Sequence, residues 1–493
     1  MSLAVRPSVW IGGASLIAGA WVLEWLHPGA THFGETMVWG AAAVGAATWL
    51  LRGCQSPDLS APSPKVLDRA AVEATLQAVE RRIQQLETEI GGEAEATLQG
   101  EMAIANLRTQ LATLWTALNR QALQVAVVGS KSVGKTTLIK QIEAIQTDLP
   151  RTFSLHEINL PASTTQPEDV PLQTRICSAD LVLFLTKGDL TDSDYQTVQQ
   201  LVQRQHRVLV VLTQQDQYLP GERPLVLQQV RERVQGKILV QDVVAIAAQP
   251  AVLKVRQQQA DGTLHERLEQ PAPDLLSLTE RLTTVLHTEA DVLLLTTVQR
   301  QAEDLKASVQ TVLNQLRRDR ALPLIEQSQW VAAAAAFATP VPSLDLLATA
   351  AITTQLVADL GRIYQQQFSL EREKTIATTL AELMVKLGLV ELSTQAIAPL
   401  LKSNALTFAA GGLLQGISAA YLTRIAGLTL ASYFEEQSAL ETTGEGLLQL
   451  DRLTQKLKAV FQENQRGAFV QTLVQQGISR LMPTSPATTP AAS

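Results

Sequence analysis

Cysteine is nearly missing from this chain: Cys54 and Cys177 are the two it has among 493 residues. Two thiols so far apart in sequence build neither a disulfide framework nor a zinc cluster, and they suit a reducing cytoplasm. Charge is scarce too, at 18% of residues against 46% apolar ones. That balance excludes a disordered chain, because there is ample apolar surface to offset the entropy of ordering. Long basic runs are absent and the net charge is -7. Neutralising the phosphates of DNA or RNA requires the opposite sign, so no nucleic-acid partner is expected. The six histidines lie without metal-ligand spacing, and neither a nucleophile elbow nor a paired-carboxylate site is visible, so no residue is assigned as catalytic.

Long apolar runs are present. Pro7 to Leu23 and Thr36 to Leu51 carry no charge, and five of the seven tryptophans (Trp10, Trp21, Trp25, Trp39, Trp49) lie at or near their ends. Indoles favour the headgroup region, and Gly12, Gly13, Ala18, Gly40, Ala43 and Gly45 would let two helices approach closely in lipid. The reading is a transmembrane hairpin over residues 1–56. Arg6 and Arg52 flank it while the connecting loop has no Lys or Arg, which puts both ends in the cytoplasm. A cleaved signal peptide and a pair of buried core helices are the competing readings.

A Pro- and Ser-rich linker, Pro57 to Pro64, leads into helix. Val72, Leu76, Val79, Ile83, Leu86 and Ile90 repeat at spacings of four and three, as do Ile104, Leu107, Leu111, Leu114 and Leu118 after Gly91-Gly92. Residues 57–122 thus read as an antiparallel helical hairpin, or as a coiled coil that makes a homo-oligomer. Beyond them the period changes. Short apolar runs at Gln124–Val128, Phe153–Ile158, Leu181–Leu185, Val208–Leu212 and Val243–Ala247 alternate with helical stretches such as Asp192–Arg204 and Leu225–Val234, which predicts an α/β domain with a parallel sheet over 123–287. The Ala260-Asp261-Gly262 segment between two further runs predicts an appended hairpin.

The most specific signal is VAVVGSKSVGKTTLIKQI, Val125 to Ile142. Gly129, Gly134, Lys135 and Thr136 fit G-x-x-x-x-G-K-[ST], following a strand and opening a helix. The candidate phosphate-binding residues are Gly129, Ser130, Lys131, Ser132, Val133, Gly134, Lys135, Thr136 and Thr137. Backbone N–H groups of residues 131–136 and the positive helix end would cradle phosphates, Lys135 would add a cation, and the Thr136 hydroxyl would hold Mg²⁺.

From about Leu123 to Pro250 the chain resembles GTPases of the Era-like branch. That resemblance implies GTP or GDP as the ligand and Mg²⁺ as its cofactor. Thr213-Gln214-Gln215-Asp216 stands where those proteins have Asn-Lys-x-Asp, which implies that Asp216 pairs with the guanine N–H donors and that Thr213 substitutes for the Asn. Ala247 falls near the fifth motif. Asn159-Leu160-Pro161-Ala162 stands where they have Asp-x-x-Gly, so Asn159 takes the place of the metal-holding carboxylate without its charge. Asp189 and Asp192 read as structural, with Thr191 or Asp192 capping a helix. An ATPase remains open if Asp216 plays no part in base choice.

From Asp274 onward nearly all the chain reads as helix. Gln329 to Leu344 and Leu346 to Ala358 are broken by Pro340, Pro342 and Asp345, while Asn404 to Thr423 is uncharged throughout and reads either as a lipid-inserted span or as a closely packed bundle helix. The layout is similar to bacterial membrane-associated GTPases with an apolar, Ala-rich C-terminal domain of unknown function. The expected organisation is a P-loop α/β domain between an N-terminal transmembrane and helical region and an all-α domain over 288–482, with a disordered tail over 483–493. Its expected setting is a multi-pass membrane protein with the nucleotide domain on the cytoplasmic face and the lipid bilayer as a partner. The two functional readings are a slow GTPase acting as a membrane-anchored switch, and a pseudo-GTPase that binds nucleotide statically or not at all.

Overall fold

Five apolar runs form one parallel sheet: β1 (Leu123–Gly129), β2 (Phe153–Asn159), β3 (Leu181–Thr186), β4 (Arg207–Leu212) and β5 (Val243–Ala245). The computed structural model describes residues 67–91, 98–160, 175–258, 264–338, 342–366, 368–402, 411–439, 449–465 and 467–481. The strand order is β2-β1-β3-β4-β5. Successive strand residues point to opposite faces, and both faces are covered, so the central strands are apolar almost throughout. Val125, Val127, Leu183 and Leu209 share one core with α3 (Lys135–Ile145) and α6 (Leu276–Thr288). Ala126, Val128, Phe184 and Val210 share the other with α4 (Asp192–Gln203) and α5 (Arg223–Arg233). A parallel sheet clad in this way on both faces is a doubly wound α/β domain.

Upstream, α1 (Arg69–Gly91) and α2 (Leu98–Leu118) run antiparallel, as the bonds from Arg69 to Asn119 and from Arg108 to Glu87 require. Val72, Leu76, Val79, Ile83, Leu86 and Ile90 are all buried, and they join the same core as the first face of the sheet. The apolar stripe is thereby consumed within the chain. Downstream, β6 (Leu253–Gln258) and β7 (Leu264–Glu269) form the appended antiparallel hairpin; its expected turn, Ala260 to Gly262, lies outside the described residues.

A single 49-residue helix, α7 (Ala290–Ala338), then extends about 70 Å at 1.5 Å per residue. Its first half, to Leu313, closes the sheet-side core, and from Ala321 onward it enters a second core. That core is helical: α8 (Pro342–Ile363), α9 (Leu370–Lys386), α10 (Leu389–Lys402), α11 (Gly411–Ala439), α12 (Leu450–Asn464) and α13 (Gly467–Leu481).

The expectation of a multi-pass membrane protein needs correction. Among the described residues, no helix is long and apolar enough to cross a membrane. The segment that invited a spanning assignment belongs largely to α11, and the reason it is so apolar is visible. Gly412 and Gly416 approach the backbone carbonyls of Phe337 and Ala333 on α7 so closely that an added Cβ would lie 2.9 Å from each oxygen. Leu413, Ile417, Tyr421 and Ile425 are buried in the same bundle, and the guanidinium of Arg424 stacks over Phe469 at 5.1 Å. A helix that is apolar on every side is one covered on every side, and here protein does the covering. The N-terminal hairpin expected over 1–56, the linker at Pro57 to Pro64 and the tail from 483 lie outside the described residues.

Candidate functional site

The carboxyl ends of the strands share one edge, where Gly129, Asn159 and Thr186 close β1, β2 and β3, and Thr213 and Ala247 follow β4 and β5. Because β1 has β2 on one side and β3 on the other, successive crossovers leave it in opposite directions. The crevice at such a reversal is where open α/β sheets bind ligands.

The segment 129–136 emerges at that crevice. Gly129 packs so tightly that a Cβ would lie 2.8 Å from Leu185 O, which only glycine avoids. Gly134 takes φ 87° and Ser132 φ 63°, so the chain turns sharply before α3 begins. No side chain caps α3 at its amino end. Among the described residues the N–H groups of Lys131, Ser132, Val133 and Gly134 meet no backbone acceptor. Uncapped helix amides with the positive end of the helix dipole behind them form an anion site.

Lys135 is 4% exposed, and its Nζ donates to the carbonyls of Gly129 at 3.1 Å and Ser130 at 2.7 Å. Burial pushes its pKa down, and the Glu157 carboxylate opposes that shift. Among the described residues no carboxylate forms an ion pair with it, so the ammonium can turn to a phosphate without breaking one. Ser130 Oγ donates to Asp194 Oδ1 at 3.3 Å, and buried Asp194 also closes the capping box with Thr191 at the start of α4. Thr191 is therefore the cap, and Asp192 instead pairs with Arg233 at 2.5 Å. Lys131 and Thr136 are exposed, while Thr137 is half-buried in the first turn of α3.

Thr213 is buried, with its hydroxyl 2.8 Å from Val133 O and 3.1 Å from Thr186 O. It thus braces the loop 129–136 from β4. Asp216 lies half-buried on a short 3-10 turn, Gln215–Gln217, and accepts from Ala251 N at 3.0 Å. Ala247 is buried, and its N–H donates to Asp274 O at 2.9 Å. Both therefore reach the correct edge with these groups already engaged. Asn159 is exposed and pairs in register with Gly129, and its carbonyl accepts from Arg175 Nη1 at 3.4 Å. Pro161 and Ala162 lie outside the described residues.

One residue the motifs do not contain lies here. Glu157 Oε2 accepts from Thr136 Oγ1 at 2.8 Å. Strand alternation was the signal that could have found it, since residues 157 and 159 of β2 share a face. Among the described residues no group of three or more His, Cys, Asp or Glu is placed to hold a metal ion. The hard oxygens of Thr136 and Glu157 nevertheless suit Mg²⁺, which is usually held by one or two protein donors together with phosphate and water. A separate cavity, lined by Arg69, Asn119, Arg120, Arg151, Thr152 and Asp291, opens at the opposite, amino edge of the sheet, away from the loop.

A family model described as a domain of unknown function (DUF697) matches residues 300–466, a region that runs from α7 through α12 and contains none of the sheet. No curated protein matches the chain. A solved structure of an oligomerised bacterial dynamin pair, described as providing a mechanism for the long-range sensing and tethering of membranes, aligns with it over 79% of each chain. Identity there is 13% and the TM-score 0.25, values at which the likeness informs neither site nor function.

Proposed function

We propose that the chain binds a guanine nucleotide at the loop 129–136 and hydrolyses GTP slowly. The observation that carries the reading is the amino end of α3: no side-chain cap, a preceding loop with two positive-φ residues, and Lys135 folded into that loop against backbone carbonyls alone. The amides of residues 131–136 would bind the phosphates, with Lys135 turning outward to them. Thr136 would hold the Mg²⁺ that accompanies the nucleotide. Asp216 would select guanine by accepting from the base, and Thr213 would keep the loop in place. Bound Mg²⁺ would spread the negative charge that develops on the phosphates during hydrolysis. Slow turnover follows from the lack of a Gln or His immediately after Ala162 to orient the attacking water.

Binding of GTP, GDP and ATP to the purified protein, with Mg²⁺ and with EDTA, tests this directly. Preference for guanine and loss of binding in Lys135→Ala are expected. Equal affinity for ATP would remove the role of Asp216, and no binding at millimolar nucleotide would remove the reading itself. The engaged positions of Asp216 and Ala247 favour a second reading, a static binder without turnover. Single-turnover hydrolysis separates the two.

A further inference from the structure

We propose that Glu157, and not Asn159, is the carboxylate that works with Thr136 to hold the Mg²⁺ of the bound nucleotide, an inference that rests on the nucleotide reading above. The motif position is occupied by an amide, yet the acidic oxygen found beside the Thr136 hydroxyl belongs to the residue two places upstream. β2 pairs with β1 so that Val127 faces Glu157 and Gly129 faces Asn159. Glu157 and Asn159 therefore lie on one side of β2, about 6.6 Å apart along the strand. Glutamate has one methylene more than aspartate, and from its lower position its side chain reaches the hydroxyl that opens α3.

Charge points the same way. Asn159 offers a neutral oxygen, whereas Glu157 brings the negative charge that a hard divalent ion prefers. Glu157 also lies near enough to Lys135 to counter the effect of burial on that ammonium, so it sits within the field of the phosphate loop. Both Thr136 and Glu157 are exposed at the loop mouth, which leaves room for phosphate oxygens and waters to complete the coordination. Two protein donors are too few to hold Mg²⁺ alone. Metal binding should therefore require nucleotide.

The proposal predicts effects of opposite sign with and without metal. Without metal, an anionic Glu157 repels the phosphates; with metal, it attracts the ion that joins them. The test is the affinity of fluorescently labelled GDP for the full chain in EDTA and in MgCl₂, compared among wild type, Glu157→Gln, Glu157→Asp and Asn159→Ala. Glu157→Gln should bind as tightly as wild type or more tightly in EDTA, and lose about 10- to 100-fold of the Mg²⁺-dependent gain, the range typical of altered metal-site partners. Glu157→Asp should fall between them, and Asn159→Ala should keep the gain within about twofold.

Binding in EDTA also reports whether each variant is folded. Loss in both conditions for Glu157→Gln would mean that the residue merely positions the loop, and would overturn the proposal. An unchanged Mg²⁺ gain in Glu157→Gln, or a gain lost instead in Asn159→Ala, would overturn it as well. Wild type that binds GDP with no response to Mg²⁺ would end the proposal and leave the nucleotide reading intact. Wild type that binds no GDP in either condition would end both.

Discussion

A single hydroxyl illustrates how much the site depends on buried polar groups. Thr213 sits within reach of Val133 O and Thr186 O at once, and it is 2% exposed. In Thr213→Val the shape is kept and the donor lost, leaving a buried carbonyl without its partner at a cost of about 1 to 3 kcal/mol. Denaturant unfolding should show that loss, and nucleotide affinity should fall with it because the loop is no longer braced. His206 is a second case. It is 8% exposed and buried beside Arg300 and Arg204, and its Nδ1 has no partner among the described residues. Burial, reinforced by those two cations, lowers its pKa from 6.5 to about 3. The folded protein thus refuses a proton that the unfolded chain accepts. Stability from this group is complete above pH 6.5 and is lost as pH falls from there towards 3, by about 2 kcal/mol between pH 7 and pH 5. Urea unfolding at the two pH values should show that difference in wild type and a smaller one in His206→Gln. The sequence displays this histidine as one of six scattered ones; only its enclosure makes it different.

At the scale of elements, boundaries with local chemistry were legible and long-range partners were not. The strand runs at Leu181 and Val208 read correctly because both faces of a covered parallel sheet are apolar, a pattern visible without knowing what covers them. The start of α4 was also legible as a cap by Thr191 or Asp192, but Asp194, which completes the capping box and also accepts from Ser130, was not singled out. Thr191→Ala should cost about 1 kcal/mol in thermal unfolding. α11 is the instructive failure. Its uncharged stretch suited lipid and a bundle equally, because hydropathy records what a side chain avoids and not what surrounds it. Gly416→Leu should reveal the surroundings: it forces side-chain atoms against Ala333 O and Leu481, which an overpacked core penalises by about 1 to 3 kcal/mol or more. A lipid-facing glycine would tolerate leucine. A lowered melting temperature therefore supports helix packing, and an unchanged one argues against it.

Across the whole molecule, α7 is the one helix that belongs to both the sheet-side core and the helical core among the described residues. Where the two meet, Arg317 is 1% exposed and pairs with Glu89 of α1, its Nη2 2.7 Å from Oε1 and its Nε 3.2 Å from Oε2. Gln365 after α8 donates to the same carboxylate at 2.8 Å, and Ser438 of α11 accepts from Arg317 at 3.4 Å. Arg320 also pairs with Glu89, at 3.7 Å, so this carboxylate joins the hairpin before the sheet to the bundle after it. Removing a single partner, as in Glu89→Leu, strands a buried charge and should cost about 3 to 5 kcal/mol, whereas Glu89→Leu with Arg317→Met should recover much of it. Chemical unfolding of the single and double variants measures both. If the single variant unfolds the two cores in separate steps while wild type unfolds in one, the contacts of Glu89 are what couple them.

The amino-acid sequence by itself determined the glycine-bearing loop 129–136 between β1 and α3, the five strands and the helical character of the chain beyond the sheet. Each is written in short-range terms: a glycine where φ is positive and another where the backbone is crowded, apolar residues in runs or at helical spacing, a lysine and a threonine at the start of a helix. Tertiary structure alone decided which carboxylate meets Thr136, which cation shares Glu89, and whether the apolar face of α11 meets protein or lipid. Those outcomes depend on strand register and on the packing of segments far apart in the chain, and no local pattern encodes the distance between side chains that only the fold brings together.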